Sequence, residues 1–229
     1  MADFDRYTND YTSIIDESLA PLGGFSDYYL QSKVALAKVA LKRADIRTVL
    51  DFGCGLGGTT LMLKQAFPDA RVVGVDVSKK SIEQAALNNQ EIEFRCIVDD
   101  ALITPHFGTF DLVYVANVFH HVPLGQRAVV MMQLRNMLAQ NGKVLFFEHN
   151  PYNPLTKWIV SRCKFDRDAI LLTPGESHDL FEQAGLRVER TTYLLFFPHM
   201  LRALAKIESL IRWLPIGAQY CVTASLRAV

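Results

Sequence analysis

The chain has 229 residues, half of them hydrophobic, and its 24 Lys and Arg balance 24 Asp and Glu to a formal net charge of zero. That balance lacks the basic excess of a dedicated nucleic-acid binder, and 10% aromatic with 21% charged residues exclude a disordered chain. At roughly 150 residues per domain the length predicts one decorated domain, large enough to bury about 70% of its unfolded surface without disulfides.

Cys54, Cys96, Cys163 and Cys221 stand far apart, with no CxxC pair and no Cys/His cluster at ligand spacing. This predicts a reducing, cytoplasmic setting and no metal. The opening MADFDRYTND is polar and acidic, unlike a signal peptide. No run approaches the roughly 18 apolar residues of a membrane span.

In chain order, residues 1–46 are polar and aromatic and then helical, with apolar positions at helical spacing in QSKVALAKVALKRA. From Arg47 short β-branched runs alternate with helix-length segments. The runs are TVLDFG (48–53), ARVVGVDV (70–77), IEFRCIV (92–98), FDLVYVAN (110–117) and GKVLFFEH (142–149). Between them lie TTLMLKQAF, KKSIEQAALNN and the long PLGQRAVVMMQLRNMLAQN. Near-continuous apolar strands in such alternation predict a doubly wound α/β fold, a buried parallel sheet with helices on both faces. Ligands in such folds collect at the carboxyl ends of the strands.

Residues 150–172 read as a long loop or irregular helical insertion. Thr173-Pro174-Gly175-Glu176 then reads as a helix start, with Thr at the N-cap, Pro at N1 and Glu at N3, and Gly185 as its stop. RVERTTYLLFF (187–197) and AQYCVTASL (218–226) read as two further strands around a helical HMLRALAKIESLIRWL.

The most informative segment is Val49-Leu50-Asp51-Phe52-Gly53-Cys54-Gly55-Leu56-Gly57-Gly58. A strand enters a glycine-rich turn and then a helix, which lets backbone approach a ligand closely. Gly53, Gly55 and Gly58 also fit the dinucleotide GxGxxG pattern, so NAD is weighed. Asp51 tilts the choice, because its carboxylate repels a pyrophosphate and suits a cationic amino-acid moiety. Asp76, ending the second strand, can accept hydrogen bonds from both ribose hydroxyls. Asp99 and Asp100 with Ala101 follow the third strand, where an adenine amino group can be met.

VLDFGCGLGG, GVDVS, VDDA and FDLVYVANVFHHV, in this order, resemble the successive motifs of class I S-adenosylmethionine-dependent methyltransferases, over residues 47–150. The resemblance implies a mostly parallel seven-stranded sheet with one antiparallel strand near the edge. It also implies one methyltransferase domain over 1–229: a helical cap at 1–46, a cofactor core at 47–150, and a substrate-side insertion with a closing strand–helix–strand at 151–229. Gly53, Cys54 and Gly55 would then approach the methionine part, Asp76 and Val77 the ribose, and Asp99, Asp100 and Ala101 the adenine. Asn117 would lie beneath the transferring methyl. In the cap, Tyr11 is the residue expected at the methionine carboxylate, among Tyr7, Phe25, Tyr28 and Tyr29.

A sulfonium methyl is already electrophilic, so the enzyme mainly aligns an acceptor, and a base helps only for a hydroxyl or protonated amine. His120 and His121 after strand four, and Glu148 and His149 after strand five, stand at the correct end. Alternation along a strand predicts that only one of His120 and His121 faces the site. The Asn/Asp-Pro-Pro-aromatic motif of resembling nucleic-acid and glutamine methyltransferases is missing at Asn117-Val118-Phe119-His120. Small-molecule O-methylation leads, with carbon and nitrogen open.

From 191 to 229 four basic residues (Arg202, Lys206, Arg212, Arg227) face one acid, Glu208. A basic amphipathic helix over 199–214 can lie on an anionic membrane, cover the sheet, or form a homodimer contact. Glu148-His149-Asn150-Pro151 through Pro154, with PIGAQY, is loosely similar to methyltransferases of glycan and lipid-linked sugar assembly. The alternatives in function are a catalytically silent cofactor-binding subunit and a small NAD(P)-dependent oxidoreductase. The missing catalytic Tyr-xxx-Lys argues against the latter.

Overall fold

The computed structural model describes residues 11–20, 26–97, 108–166 and 168–227. Tyr11–Leu19 (α1) and Ser26–Ala40 (α2) precede the sheet. Then follow Thr48–Phe52 (β1), Gly58–Ala66 (α3), Arg71–Asp76 (β2), Lys79–Asn88 (α4), Glu93–Cys96 (β3) and Phe110–Ala116 (β4). After a 3₁₀ turn at Phe119–His121 come Leu124–Asn136 (α5), Leu138–His149 (β5), Pro154–Val160 (α6), Pro174–Gln183 (α7) and Leu186–Leu194 (β6). A 3₁₀ run at His199–Ile207, Glu208–Ile211 (α8) and Gln219–Leu226 (β7) close the order.

The strands form one seven-stranded sheet in the order β3-β2-β1-β4-β5-β7-β6. All neighbours are parallel except β7, which runs antiparallel to both β5 and β6. This is the doubly wound sheet that the alternation predicts, with the antiparallel strand beside the edge.

Strand residues alternate between two cores. Val49, Tyr114, Leu145 and Phe147 pack with Val34 and Ala37 of α2, Leu41 just after it, and Leu63 of α3. Leu50, Val113, Val115 and Phe146 pack on the opposite side with Met131 and Leu134 of α5 and Phe181 of α7. Both faces are therefore covered by helices.

The register brings the functional ends together. Asp76 pairs with Cys96, Phe52 with Val75 and Val115, Ala116 with Phe147, and His149 with Gln219. The carboxyl ends of β1, β2, β4 and β5 thus share one edge.

Thr173, Pro174 and Glu176 form the expected start of α7. Glu176 N–H donates to Thr173 Oγ1 at 3.1 Å, and Thr173 N–H donates back to Glu176 Oε2 at 2.7 Å. Residues 150–172 contain a true helix, α6, capped by Asn153, which accepts from Thr156 N–H at 3.0 Å.

Two expectations are corrected. The helix expected to run to Asn141 ends at Asn136, because Phe110 N–H donates to Met137 O at 2.8 Å and Leu138 already pairs with Phe110. Gly142 allows that early pairing, since a Cβ there would stand 2.6 Å from Phe110 O. Residues 199–214 are not one amphipathic α-helix. Leu201 breaks the 3₁₀ run, and Glu208 turns inward to accept the N–H groups of Phe196 and Phe197 at 3.0 and 3.3 Å. That tether points the apolar side chains away from the sheet: Leu210 and Trp213 are 73% and 72% exposed, so this segment's apolar side does not cover the sheet.

Candidate functional site

A cavity of about 460 Å³ opens at the shared strand edge, within the size range of small-molecule sites. At one end it is made of backbone. Gly53, Gly55 and Gly57 hold φ of 78°, 52° and 81°, a left-handed region open to glycine at little cost. Gly53 and Cys54 N–H donate to Val75 O at 2.8 and 3.0 Å. Asp76 joins this loop to the next helix: its Oδ2 accepts from Gly55 N–H at 2.8 Å and its Oδ1 from Ser78 N–H at 2.9 Å. The carboxylate still lines the cavity with Val77. An ionised carboxylate has about four acceptor sites, the chemistry that a vicinal diol needs in its partner.

Cys54 lines the same wall, but burial beside Asp51 and Asp76 pushes its thiol well above the usual range. It packs rather than reacts. Asp51 lies beneath the loop rather than on the cavity wall, with its Oδ2 accepting the Thr60 hydroxyl at 2.7 Å. Burial raises its carboxyl to about 7 despite that bond.

Sequence reading missed the cation of this region, Lys33 on α2. It is 3% exposed and lines the cavity. Burial pulls its ammonium down to about 8, while Glu148 and Asp51 oppose the fall. The signal available was one lysine on the apolar stripe of α2, four residues after Tyr29. Tyr29 also faces the cavity, and its buried hydroxyl has no partner among the described residues.

Asn117, at the end of β4, has the strained φ of 59° and a buried Oδ1 with no partner among the described residues, and it lines the cavity. Left-handed non-glycine residues cluster where a ligand is held. Leu195, the other such residue among those described, lines the cavity as well. Asp99, Asp100 and Ala101 lie outside the described residues, as do Tyr7, Phe25 and the side chain of Tyr11.

The other end of the cavity is made of side chains. His120 is buried, with its Nδ1 2.6 Å from Glu148 Oε2 and its Nε2 3.4 Å from Asp166 Oδ1. His121 Nε2 lies 3.3 Å from the same Asp166 oxygen. Both imidazoles therefore meet at Asp166 and line the cavity, contrary to the strand-alternation expectation. The reason is that Phe119–His121 is a 3₁₀ turn. Glu148 fixes that turn by accepting the N–H groups of Val118 and Phe119 at 3.1 and 2.7 Å.

Although burial disfavours its charge, the Glu148 and Asp166 carboxylates raise His120 to about 9. It is an imidazolium at neutral pH, and the same contacts hold Asp166 well below the carboxylate range. His120 Nε2, His121 Nε2 and Asp166 Oδ1 lie close enough to share an ion, yet Asp166 already pairs with both rings and Glu148 balances the His120 charge.

His149 is different. Burial and the neighbouring His120 charge lower it to about 4, so its ring is neutral. Its Nδ1 stands 3.4 Å from Gln219 Nε2, and Gln219 Oε1 is buried without a partner among the described residues. Leu155, Ile159, Val160, Phe165, Phe196 and Phe197 wall this end. Asp166 and Gln219 carried no motif, because each meets the histidines only through long-range chain folding.

A glycine-rich nucleotide loop, a carboxylate at the end of β2 and an antiparallel β7 define the class I methyltransferase architecture. A family model described as a methyltransferase domain matches residues 50–144. The ubiquinone biosynthesis O-methyltransferase of Neisseria meningitidis serogroup C is 33% identical over 166 residues, 65% of this chain and 68% of that one. The trans-aconitate 2-methyltransferase of Methylobacterium radiotolerans is 34% identical over 172 residues, 69% of this chain and 65% of that one. An uncharacterized Rickettsia prowazekii protein matches at 29% identity, over 67% of this chain and 28% of its own length. The chain thus spans less than two thirds of the latter two relatives. Among solved structures, a TehB-like SAM-dependent methyltransferase from Corynebacterium glutamicum superposes with a TM-score of 0.65 at 17% identity, covering 97% of this chain and 99% of the other. The plantazolicin methyltransferase BpumL in complex with SAH gives 0.64 at 16% identity, over 98% and 95%. The chain belongs to the S-adenosylmethionine-dependent methyltransferase family.

Proposed function

We propose that the protein methylates an oxygen of a small, largely apolar or lipid-linked acceptor, with S-adenosylmethionine as donor. One observation carries this reading. The cavity runs from the glycine loop past Asn117 into an apolar chamber whose polar floor includes a neutral imidazole, His149.

The residues present fit the cofactor. Asp76 suits the ribose diol, Lys33 a carboxylate, and the orphaned Tyr29 hydroxyl and Asn117 oxygen offer hydrogen bonds that nothing among the described residues takes up. When bound, S-adenosylmethionine supplies a sulfonium methyl that needs no further activation. What remains for the chain is to align the acceptor, exclude water and accept at most one proton. The apolar wall from Leu155 to Phe197 serves the first two tasks.

His149 is assigned the proton. With the Gln219 amide turned so that Oε1 accepts the Nδ1 proton, the Nε2 lone pair is left for an acceptor hydroxyl. His120 is already protonated between two carboxylates, so it holds charge and geometry and leaves the base role to His149. His121 shares Asp166 with it and belongs to the same support.

The O-methyltransferase relative supports oxygen as the acceptor atom. The continuous sheet, which joins β1–β5 to β6 and β7, supports treating 1–229 as one catalytic unit. Cysteines that are all free support a cytoplasmic setting, and no helix among the described residues is long and apolar enough to cross a membrane.

Thermal shift with S-adenosylmethionine, S-adenosylhomocysteine and NAD, followed by turnover on apolar phenols, carboxylates and lipid-linked sugars, tests the reading. Stabilisation by the first two and methylation of at least one acceptor class is expected. Stabilisation by NAD alone identifies an oxidoreductase, and cofactor binding without turnover on any class identifies a silent subunit.

A further inference from the structure

We propose that the rim of the cavity formed by α6 and residues 196–216 is a membrane-contact surface that seats on an anionic lipid leaflet.

Ten of the 18 large apolar side chains that stay exposed among the described residues fall within 152–158 and 200–216. Soluble proteins rarely gather such side chains without a use for them. Leu155 and Trp158 project from α6, and Leu204, Leu210, Trp213 and Ile216 from the second segment. The two segments are laced together: Asn153 Nδ2 donates to Ile216 O at 2.7 Å, and Asn150 Nδ2 to Pro215 O and Gly217 O at 3.0 and 2.8 Å. The patch is thus one surface. It also borders the cavity, because Leu155, Phe197 and Pro198 line the cavity itself.

Charge selects the occupant. Lys157, Arg162, Lys164, Arg202 and Lys206 are exposed in and around the patch. Within 150–164 and 196–216 the sole acid is Glu208, which is buried and spent on two backbone N–H groups. Apolar side chains bordered by unopposed cations match the headgroup and upper acyl region of an anionic leaflet. A two-fold contact with a second copy would set these same cations against each other, which disfavours a homodimer through this face. Arg162 lies 4.3 Å over the Trp158 ring, pairing a cation with an aromatic as interfacial sites do. The surface lies on a bilayer rather than in it, and the inference concerns where the protein sits, independent of how the acceptor is deprotonated.

Both tryptophans of the chain, Trp158 and Trp213, lie in the patch, so their fluorescence reports on it directly. The experiment mixes the full chain with vesicles of phosphatidylcholine alone or of phosphatidylcholine with phosphatidylglycerol, reading sedimentation and tryptophan emission. Binding and a blue shift are expected with the anionic vesicles and not with the neutral ones. Leu210→Glu with Trp213→Glu should abolish binding while S-adenosylmethionine affinity by calorimetry is unchanged. Lys157→Ala and Arg202→Ala should each weaken it by about five-fold, near the worth of one cation at such a surface. No binding of the full chain to the anionic vesicles overturns the inference. So does a dimer in light scattering that the Leu210→Glu, Trp213→Glu chain loses while the full chain fails to bind vesicles. Failure of methyl transfer on every acceptor with vesicle binding intact would count against the proposed reaction and leave this surface standing.

Discussion

The two ends of the cavity are built on different terms. The glycine-loop end is mostly backbone: Gly53 to Gly58 and Asp76 come from two successive strand–turn–helix units, within about 25 residues of chain. The histidine end is side chains drawn from six distant places: the turn after β4, the end of β5, α6, Asp166, the segment after β6 and β7. Local chain geometry shapes the glycine loop and places Asp76, whereas Lys33 and Asn117 reach this end only through the tertiary fold. An acceptor site needs long-range convergence, which is where one family member can differ from another.

The largest expected effect tests the acceptor end. His149→Ala should lower kcat by about 10²–10³-fold, the usual worth of a positioned base, with cofactor affinity by calorimetry unchanged. In the unaltered protein the acid limb of kcat should fall near pH 4, where His149 takes up its proton, rather than near the ordinary 6.5 of histidine. Full activity after alanine at both His121 and His149 would remove the general base altogether.

Gly53→Ala tests the other end. Its φ of 78° is costly for any side chain, and the new Cβ would overlap Val118 Cγ2. Calorimetry should show cofactor affinity lower by at least about ten-fold, with roughly 2 kcal/mol of stability lost in urea unfolding. An unchanged affinity would mean that the loop does not cradle the cofactor.

A smaller effect sharpens the electrostatic contrast. His120 rises from its ordinary 6.5 to about 9 on folding, so the stability that it contributes is fully present below about pH 6.5 and lost as the pH rises through about 9. The gap in urea midpoint between the protein and His120→Asn should therefore shrink across that window. Lys33, lowered to about 8, acts with the opposite sign there, which is why the difference between the two proteins is the quantity to measure. A gap that stays constant would mean that His120 is not held as an imidazolium.

The smallest effect lies outside both ends. Thr173→Ala removes the capping box of α7 and should cost about 1 kcal/mol of stability with kcat and KM unchanged. A change in either constant would tie α7 to the site.

The cofactor end was legible because its requirements are local. Glycines that tolerate left-handed φ stand between a strand and a helix, and a carboxylate ends the next strand; both features leave marks in the sequence at Gly53, Gly55 and Asp76. Asn117 was legible by its place at a strand end, though its strain and orphaned oxygen were not. At the acceptor end His120, His121 and His149 could be named as candidates but not sorted. Groups absent from any sequence pattern sort them: the Glu148 and Asp166 carboxylates make His120 a fixed cation, and burial with the His120 charge leaves His149 a neutral ring.

The same division runs through the whole molecule. By itself the sequence determined the alternation of strands and helices, the sheet class, the nucleotide loop and the capping box of α7, each dictated by side-chain period and local backbone preference. Only the tertiary structure decided that α5 stops at Asn136, that Lys33 enters the cavity, that Asp166 and Gln219 meet the histidines, and that 199–214 turns its apolar side outward. Those outcomes depend on which distant groups compete for a hydrogen bond or a buried charge, and that competition is settled only when the chain has closed.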